Sequence, residues 1–276
     1  ARMGADVAIY EKRQKLGGIV SAVIPDFRID DSVIEKDAAL LEKLGVKVFY
    51  GREVTSVKEL QEEYDAVILA VGAYKRGQLK LDGKEVRNAL EFLEEFNRAK
   101  GTVNLGKHVV VIGGNTAMDT ARAAKRCAGV EHVYLAYRRT KRYMPADEHE
   151  LQLAIEDGVE FKELLAPDRM EEGRLICKVT RLGEPDGSGR ASVIVTDQTE
   201  EIPADTVIAA VGEQVPTDFY EANGIHVDGK GRALVSDSLE TNRKGVYVIG
   251  DGLFGPSLVV KGMANAIKAA ESILGM

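Results

Sequence analysis

Apolar residues follow two rhythms along this chain. Short β-branched runs recur at Asp6–Tyr10, Val46–Tyr50, Asp65–Val71, Val109–Ile112, Val133–Tyr137, Val159–Leu164, Asp205–Val211 and Val246–Ile249. Each has the length of a buried strand and is bounded by Gly, Pro or charged residues. Between them, Ser32–Leu44, Ser56–Glu63, Asn88–Lys100, the Ala-rich segment after Asn115, Asp147–Asp157 and Met263–Leu274 carry helical spacing, as with Leu90, Leu93 and Phe96. A capping box, Ser32-Val33-Ile34-Glu35, opens the first of these, and Gly45 closes it. A second pair, Asp147 and Glu150, stands at the head of the fifth. A short helix near Phe219–Ala222 completes the set. Strands alternating with helices predict an α/β chain with parallel sheets. The exception is a β-hairpin, Arg174–Leu182 with Ala191–Asp197, across the loop Glu184–Gly189. That loop has hairpin turn chemistry and lacks the closing carboxylate of a calcium loop.

One strand occurs twice. Asp65-Ala66-Val67-Ile68-Leu69-Ala70-Val71-Gly72 returns as Asp205-Thr206-Val207-Ile208-Ala209-Ala210-Val211-Gly212, with six of eight positions identical. Gly72 and Gly212 let the chain leave the sheet after each copy. The copies bracket nearly half of the sequence, and a polar stretch from Gly72 to Lys84 reads as a linker. The pattern predicts one domain inserted into another: residues 1–76 and 214–276 forming a split outer domain, residues 77–213 an inner one. Ala1-Arg2-Met3-Gly4 reads as the last turn of a helix, as if the chain were cut from a longer one.

The composition narrows the functional classes. The 276 residues are 45% hydrophobic and 29% charged, with a net charge of −7, which argues against nucleic-acid or anionic-membrane partners. No run approaches the roughly 18 apolar residues of a membrane span, and no secretory signal is present, so a cytoplasmic location is expected. Cys127 and Cys177 stand alone, and His108, His132, His149 and His226 have no metal-ligand spacing. No metal site is expected.

Against that acidic background, Lys107–Arg142 is a local basic departure. The strand Val109–Ile112 is followed by Gly113-Gly114, then Asn115-Thr116-Ala117 opening a helix, then the strand Val133–Tyr137 ending in Arg138-Arg139. This is the first half of a dinucleotide-binding unit, in which amides at a helix N-terminus face a pyrophosphate. The charge at the second strand's end selects the ribose, and arginines suit a 2′-phosphate. NADP(H) is therefore expected. As structure alone, the glycine pair would be a tight turn and the arginines a solvated run. The usual Gly-x-Gly-x-x-Ala turn is altered: either Ile112 stands at the first glycine position or one residue has been lost. Elsewhere, Asp6–Tyr10 leads into Glu11, where a ribose-hydroxyl acceptor would stand in a second such fold. Val246–Ile249 leads into Gly250-Asp251, where the aspartate could bind a polyol or cap a turn.

Taken in order, Gly17-Gly18…Ile24-Pro25-Asp26-Phe27-Arg28, Gly114-Asn115-Thr116-Ala117-Met118-Asp119, Tyr137-Arg138-Arg139…Met144-Pro145 and Gly250-Asp251…Ser257-Leu258-Val259-Val260 resemble one family. It is the small (beta) subunit of NADPH-dependent glutamate synthase, with related FAD/NAD(P)H pyridine nucleotide-disulfide-type oxidoreductases such as a subunit ascribed to selenate reduction. The resemblance covers essentially the whole chain. It implies two Rossmann-like, three-layer dinucleotide domains, the NADPH domain inserted into a split and truncated FAD domain. It places Glu11 and Lys12 at the FAD adenosine ribose, Gly18 near the FAD, and Gly72 and Gly212 at the strand ends of the cofactor folds. It further places Asp251 at the ribityl and pyrophosphate region, and the backbone of Ser257, Leu258 and Val259 at the flavin edge. Gly113, Gly114, Asn115, Thr116 and Ala117 would hold the NADPH pyrophosphate, and Arg138 and Arg139 its 2′-phosphate.

The activity implied is NADPH:acceptor reduction through FAD, with electrons passing to an iron–sulfur centre or a large-subunit partner. The cofactors carry that chemistry, so no side-chain acid, base or nucleophile is expected. The absence of CxxC argues against a dithiol relay. The glycine-rich FAD strand–helix and the cysteine-rich iron–sulfur domain of the family are not in this sequence, so weak FAD retention is expected. The alternative is a non-catalytic NADP(H)-binding module for assembly or regulation.

Overall fold

The computed structural model describes residues 1–73, 75–82, 86–185, 187 and 189–276. The chain divides into two compact units: an outer one, Ala1–Ser21, Asp30–Lys75 and Glu213–Met276, and an inner one, Ala22–Ile29 and Arg76–Gly212. The polar stretch read as a linker falls partly on residues 74 and 83–85, outside the described residues. The same holds for the hairpin loop at 186 and 188.

The inner unit is built on a five-stranded parallel sheet. Its order is Arg87–Asn88, Thr206–Ala210, His108–Gly113, His132–Tyr137, Val159–Glu163. Val109, Val110 and Val111 are all fully buried, which explains the unbroken β-branched run: both faces of the strand are covered. Val110, Ile112, Tyr134, Ala136 and Val207 face one side, packed against Leu165, Met170, Leu175, Cys177 and Ile202 of an antiparallel sheet. The helices Ala89–Ala99, Asn115–Lys125 and Glu148–Glu156 pack on the inner unit's parallel strands. Helix, parallel sheet and antiparallel sheet form three layers.

The antiparallel layer is larger than its sequence pattern suggests. Arg174–Pro185 pairs with Ala191–Pro203 on one side and with Leu165–Glu171 on the other. The third strand carries no apolar alternation and contains Pro167. Proline is tolerated there because the strand is an edge, with a register shift between Ile176 and Cys177 on its partner.

The segment Ala22–Ile29 is strapped to the inner unit's helices. The Asn97 side-chain amide donates to the carbonyls of Ala22 and Ile24, both at 3.1 Å. The Phe27 ring meets Phe96 edge-on and lies beneath the guanidinium groups of Arg122 and Arg126. Arg28 bridges Asp119 at 2.8 Å and Glu150 at 2.7 Å. Glu150 is therefore used as a counter-ion, while Asp147 alone caps its helix through the His149 amide. Burial raises the Asp119 carboxyl above its ordinary range although Arg28 pulls the other way.

The outer unit holds two two-stranded parallel sheets, Ala8–Glu11 with Lys47–Tyr50 and Val67–Leu69 with Val246–Val248. Its core gathers Val57, Val67, Leu69, Tyr220, Val246, Val248, Leu253 and Ala269. The helix Asp31–Lys43 is capped by Asp30, whose carboxylate accepts the Ser32 amide, so the cap lies two residues before the serine of the predicted box. The last helix, Val259–Leu274, begins four residues before the expected Met263 and runs through Gly262. A helix interior disfavours glycine, and nothing at Gly262 requires one, since a Cβ there would make ordinary contact with the Gly250 Cα at 3.8 Å. The two copies of the repeated strand lie one in each unit, Val67–Leu69 outer and Thr206–Ala210 inner.

Both cysteines are buried, and burial pushes the Cys127 thiol up to about 11 and the Cys177 thiol up to about 12. A raised thiol pKa favours the protonated native state, so this contribution is full below the ordinary value of 9.0 and fades as pH climbs towards the folded values. At pH 8 a thiol-reactive chromophore is therefore expected to label neither cysteine until denaturant is added. Stoichiometric labelling of the native protein would contradict this burial.

Candidate functional site

The inner unit turns from strand to helix in two residues. Ile112 remains in the strand, paired with Ala209 and Ala136, and its side chain is buried. Gly113 follows at φ 150°, and a Cβ there would stand 2.3 Å from the Ala210 carbonyl oxygen on the neighbouring strand. Gly113 is thus the last strand residue, at a position where the neighbouring backbone leaves no room for a side chain. Gly114 takes the N-cap position of the helix Asn115–Lys125 with no side-chain cap, and a Cβ there would meet Pro145 at 2.8 Å. As a glycine, Gly114 supplies no side-chain cap to this helix, and a helix N-terminus favours anions. By contrast Asp30, Asn88 and Asp147 cap their own helices. Ala117 is fully buried, where a larger side chain would not fit.

The strand His132–Tyr137 delivers Arg138 and Arg139 one strand away from that turn. Their environments differ. Arg138 is exposed, and its side chain has no hydrogen bond or ion pair among the described residues. Arg139 is only 8% exposed, and its Nε donates to the Ala191 carbonyl at 2.7 Å. No carboxylate pairs with either arginine among the described residues. Other arginines of the unit are paired: Arg122 and Arg126 with Asp157, Arg169 with Asp168 and Glu171. A buried cation without a counter-ion costs several kcal/mol. An incoming phosphate would offset that cost. The residues therefore fit a dinucleotide carrying a 2′-phosphate.

In the outer unit, Glu11 ends its strand and one carboxylate oxygen accepts the Arg13 amide at 2.7 Å. The other oxygen has no partner among the described residues and could take a ribose hydroxyl. Lys12 stands 3.9 Å from Glu53. Gly18, at φ 52°, has open space around the missing Cβ, and Gly72 and Gly212 leave their strands at φ 73° and 107°. Gly250, at φ 62°, turns the chain into the short helix Asp251–Phe254. Asp251 accepts from the Ser257 amide and hydroxyl at 3.1 and 2.9 Å, closing a loop over residues 251–257. Leu258 and Val259 beyond it are 65% and 60% exposed. A diol acceptor, an acid at a strand end and an exposed loop are compatible with a second dinucleotide.

The pyridine nucleotide-disulphide oxidoreductase family matches residues 1–270. The chain belongs to this family. Among relatives, the Escherichia coli K12 protein YgfK is 40% identical over 281 residues, 99% of this chain but 27% of its own length. A glutamate synthase [NADPH] small chain of Azospirillum brasilense is 35% identical over 297 residues, 98% of this chain and 61% of the relative. The chain thus spans between about a quarter and three-fifths of these relatives. Mycobacterium tuberculosis FprA in complex with NADPH superposes with a TM-score of 0.79 at 21% identity, covering 98% of this chain and 77% of FprA. At that identity the likeness shows the shared fold. Within the family, the described residues contain no helix long and apolar enough to cross a membrane and no metal-binding cluster.

Sequence reasoning missed what surrounds the arginines. Arg190 reaches the Tyr137 hydroxyl and the Tyr143 carbonyl from 53 and 47 residues away in sequence, and only the hairpin's pairing brings it there. The turn makes its own prediction. Gly113→Ala combines a left-handed φ with a backbone clash and should lower stability by ~1–3 kcal/mol in urea unfolding. An unchanged midpoint would contradict the geometry.

Proposed function

We propose that the chain is the cofactor-binding portion of an NADPH-dependent flavoprotein oxidoreductase that passes hydride from NADPH to FAD. From there electrons go to an iron–sulfur or partner-subunit acceptor, as in the small chain of glutamate synthase. The observation that carries this reading is Arg139, a nearly buried guanidinium with no carboxylate partner among the described residues, near the exposed Arg138 and a helix whose N-cap is a glycine. Membership of an oxidoreductase family and the name of the Azospirillum relative support it.

In this reading residues 77–213 form the NADPH half. Gly113 and Gly114 bring the backbone close, and the amides of Asn115, Thr116 and Ala117 hold the pyrophosphate. Arg138 and Arg139 neutralise the 2′-phosphate. Residues 1–76 and 214–276 form the FAD half: Glu11 and Lys12 orient the adenosine ribose, Gly18 and Gly72 leave room for backbone approach, and Gly250 and Asp251 receive the ribityl chain. Ser257, Leu258 and Val259 line the flavin edge, and Gly212 frees the returning strand. When bound, FAD supplies the two-electron acceptor that lets a hydride donor feed one-electron centres. The protein's task is to hold the two cofactors and exclude water.

The outer unit leaves Ile68, Val259, Val260, Met263 and Ile267 between 42% and 64% exposed. The partner is an electron-acceptor protein or large subunit, with no nucleic acid.

The test is the intact protein. Its flavin absorbance should bleach on adding NADPH, and much more slowly with NADH. A colourless protein, or one that prefers NADH, would refute the reading. In the same protein Arg138→Ala should weaken NADPH binding about ten- to a hundredfold, as expected for one lost charged hydrogen bond, and leave NADH affinity nearly unchanged. Equal losses for both cofactors would place Arg138 away from the 2′-phosphate.

A further inference from the structure

The loop that carries the arginines is fastened from outside its own sheet. The Arg138 carbonyl accepts the Thr180 hydroxyl at 2.9 Å, and Thr180 is 1% exposed. The Arg139 carbonyl accepts the Leu164 amide at 3.3 Å. The Arg139 Nε is held by the Ala191 carbonyl. Further along, the Tyr143 carbonyl accepts the Tyr137 hydroxyl at 2.8 Å and the Arg190 guanidinium at 3.2 Å. Thr180 lies on one arm of the antiparallel hairpin, and Arg190 and Ala191 lie where the other arm begins.

We propose that this hairpin sets nucleotide specificity, with Thr180 and Arg190 as positioning residues that hold Arg138 and Arg139 in the geometry a 2′-phosphate requires. The inference rests on the NADPH reading above and adds residues to it. Several features argue for support of the loop over mere attachment of the hairpin. The fastenings fall on the two arginines themselves and on Tyr143. They also approach from both hairpin arms, so the loop is held on either side of the phosphate-facing groups. The Ala191 bond fixes the Arg139 side chain by its Nε and leaves the fork of terminal nitrogens for an anion, since guanidinium–phosphate pairing uses a planar two-donor edge. A small shift of such a fork costs affinity for the phosphate and none for a ribose hydroxyl.

The test uses the full-length protein and calorimetric titration with NADP+ and NAD+. Thr180→Val keeps the side chain's shape and removes the donor, and Arg190→Ala removes an exposed side chain. Each should weaken NADP+ binding about fivefold or more, the scale of one lost hydrogen bond, with NAD+ binding little changed, and Arg190→Ala should leave the melting temperature little changed as well. Arg190→Lys should recover part of the loss. The proposal falls if NADP+ and NAD+ weaken together, if neither weakens, or if Arg190→Lys behaves as Arg190→Ala. Should Thr180→Val fail to fold, Arg190→Ala and Arg190→Lys decide the matter. A wild-type protein that does not discriminate between the nucleotides would remove the NADPH reading and this proposal together. A discriminating wild type with insensitive variants removes this proposal alone.

Discussion

A guanidinium nine-tenths buried with no carboxylate beside it is an unusual thing for a protein to keep. Among the described residues Arg139 is in that state, although the chain carries 44 acidic residues against 37 basic ones. Asp157 and Glu150 do pair with other arginines of the same unit. The cost of leaving Arg139 unpaired is several kcal/mol. A site of this kind is stable in the absence of ligand only if the surrounding structure holds it firmly, and it gains most when an anion arrives.

The rest of the inner unit supplies that firmness. A parallel sheet buried on both faces places the end of one strand beside the glycine turn of the next, so the helix amides and the arginines converge without any long loop. The antiparallel layer does more than cover the second face through Leu175, Cys177 and Ile202. It contributes a hydroxyl, a carbonyl and a guanidinium to the arginine loop. The strap Ala22–Ile29 braces the helix that starts at the turn, because Arg28 ties Asp119 on that helix to Glu150 on its neighbour. Packing, capping and charge thus all bear on the same few ångströms.

Much of this was legible in the sequence, and the remainder has physical reasons for being hidden. The strand, glycine turn, small-residue helix and basic strand end are local patterns, each set by residues within reach of one another. The expectation that one strand ends on two equivalent arginines was only half informative, because burial separates them: Arg138 stays in solvent while Arg139 goes under the hairpin. Leu165–Glu171 escaped notice since an edge strand needs neither alternation nor freedom from proline. The cap of Asp31–Lys43 was misplaced because Asp30 and Ser32 are both good caps and only backbone geometry chooses. Nothing local could reveal the union of Phe27 and Arg28 with the rest of the inner unit, or of Arg190 with Tyr143, since the partners lie 47 to 122 residues apart.

The central claim is that the arginine pair at the end of His132–Tyr137 is an incomplete ion cluster finished by a 2′-phosphate. Thermal unfolding with adenosine fragments isolates that claim from hydride transfer and from the flavin. Adenosine 2′,5′-bisphosphate should raise the melting temperature in a manner that fades with salt, while adenosine 5′-phosphate at the same concentration should raise it far less. Equal shifts from the two fragments, or none from either, would contradict the account.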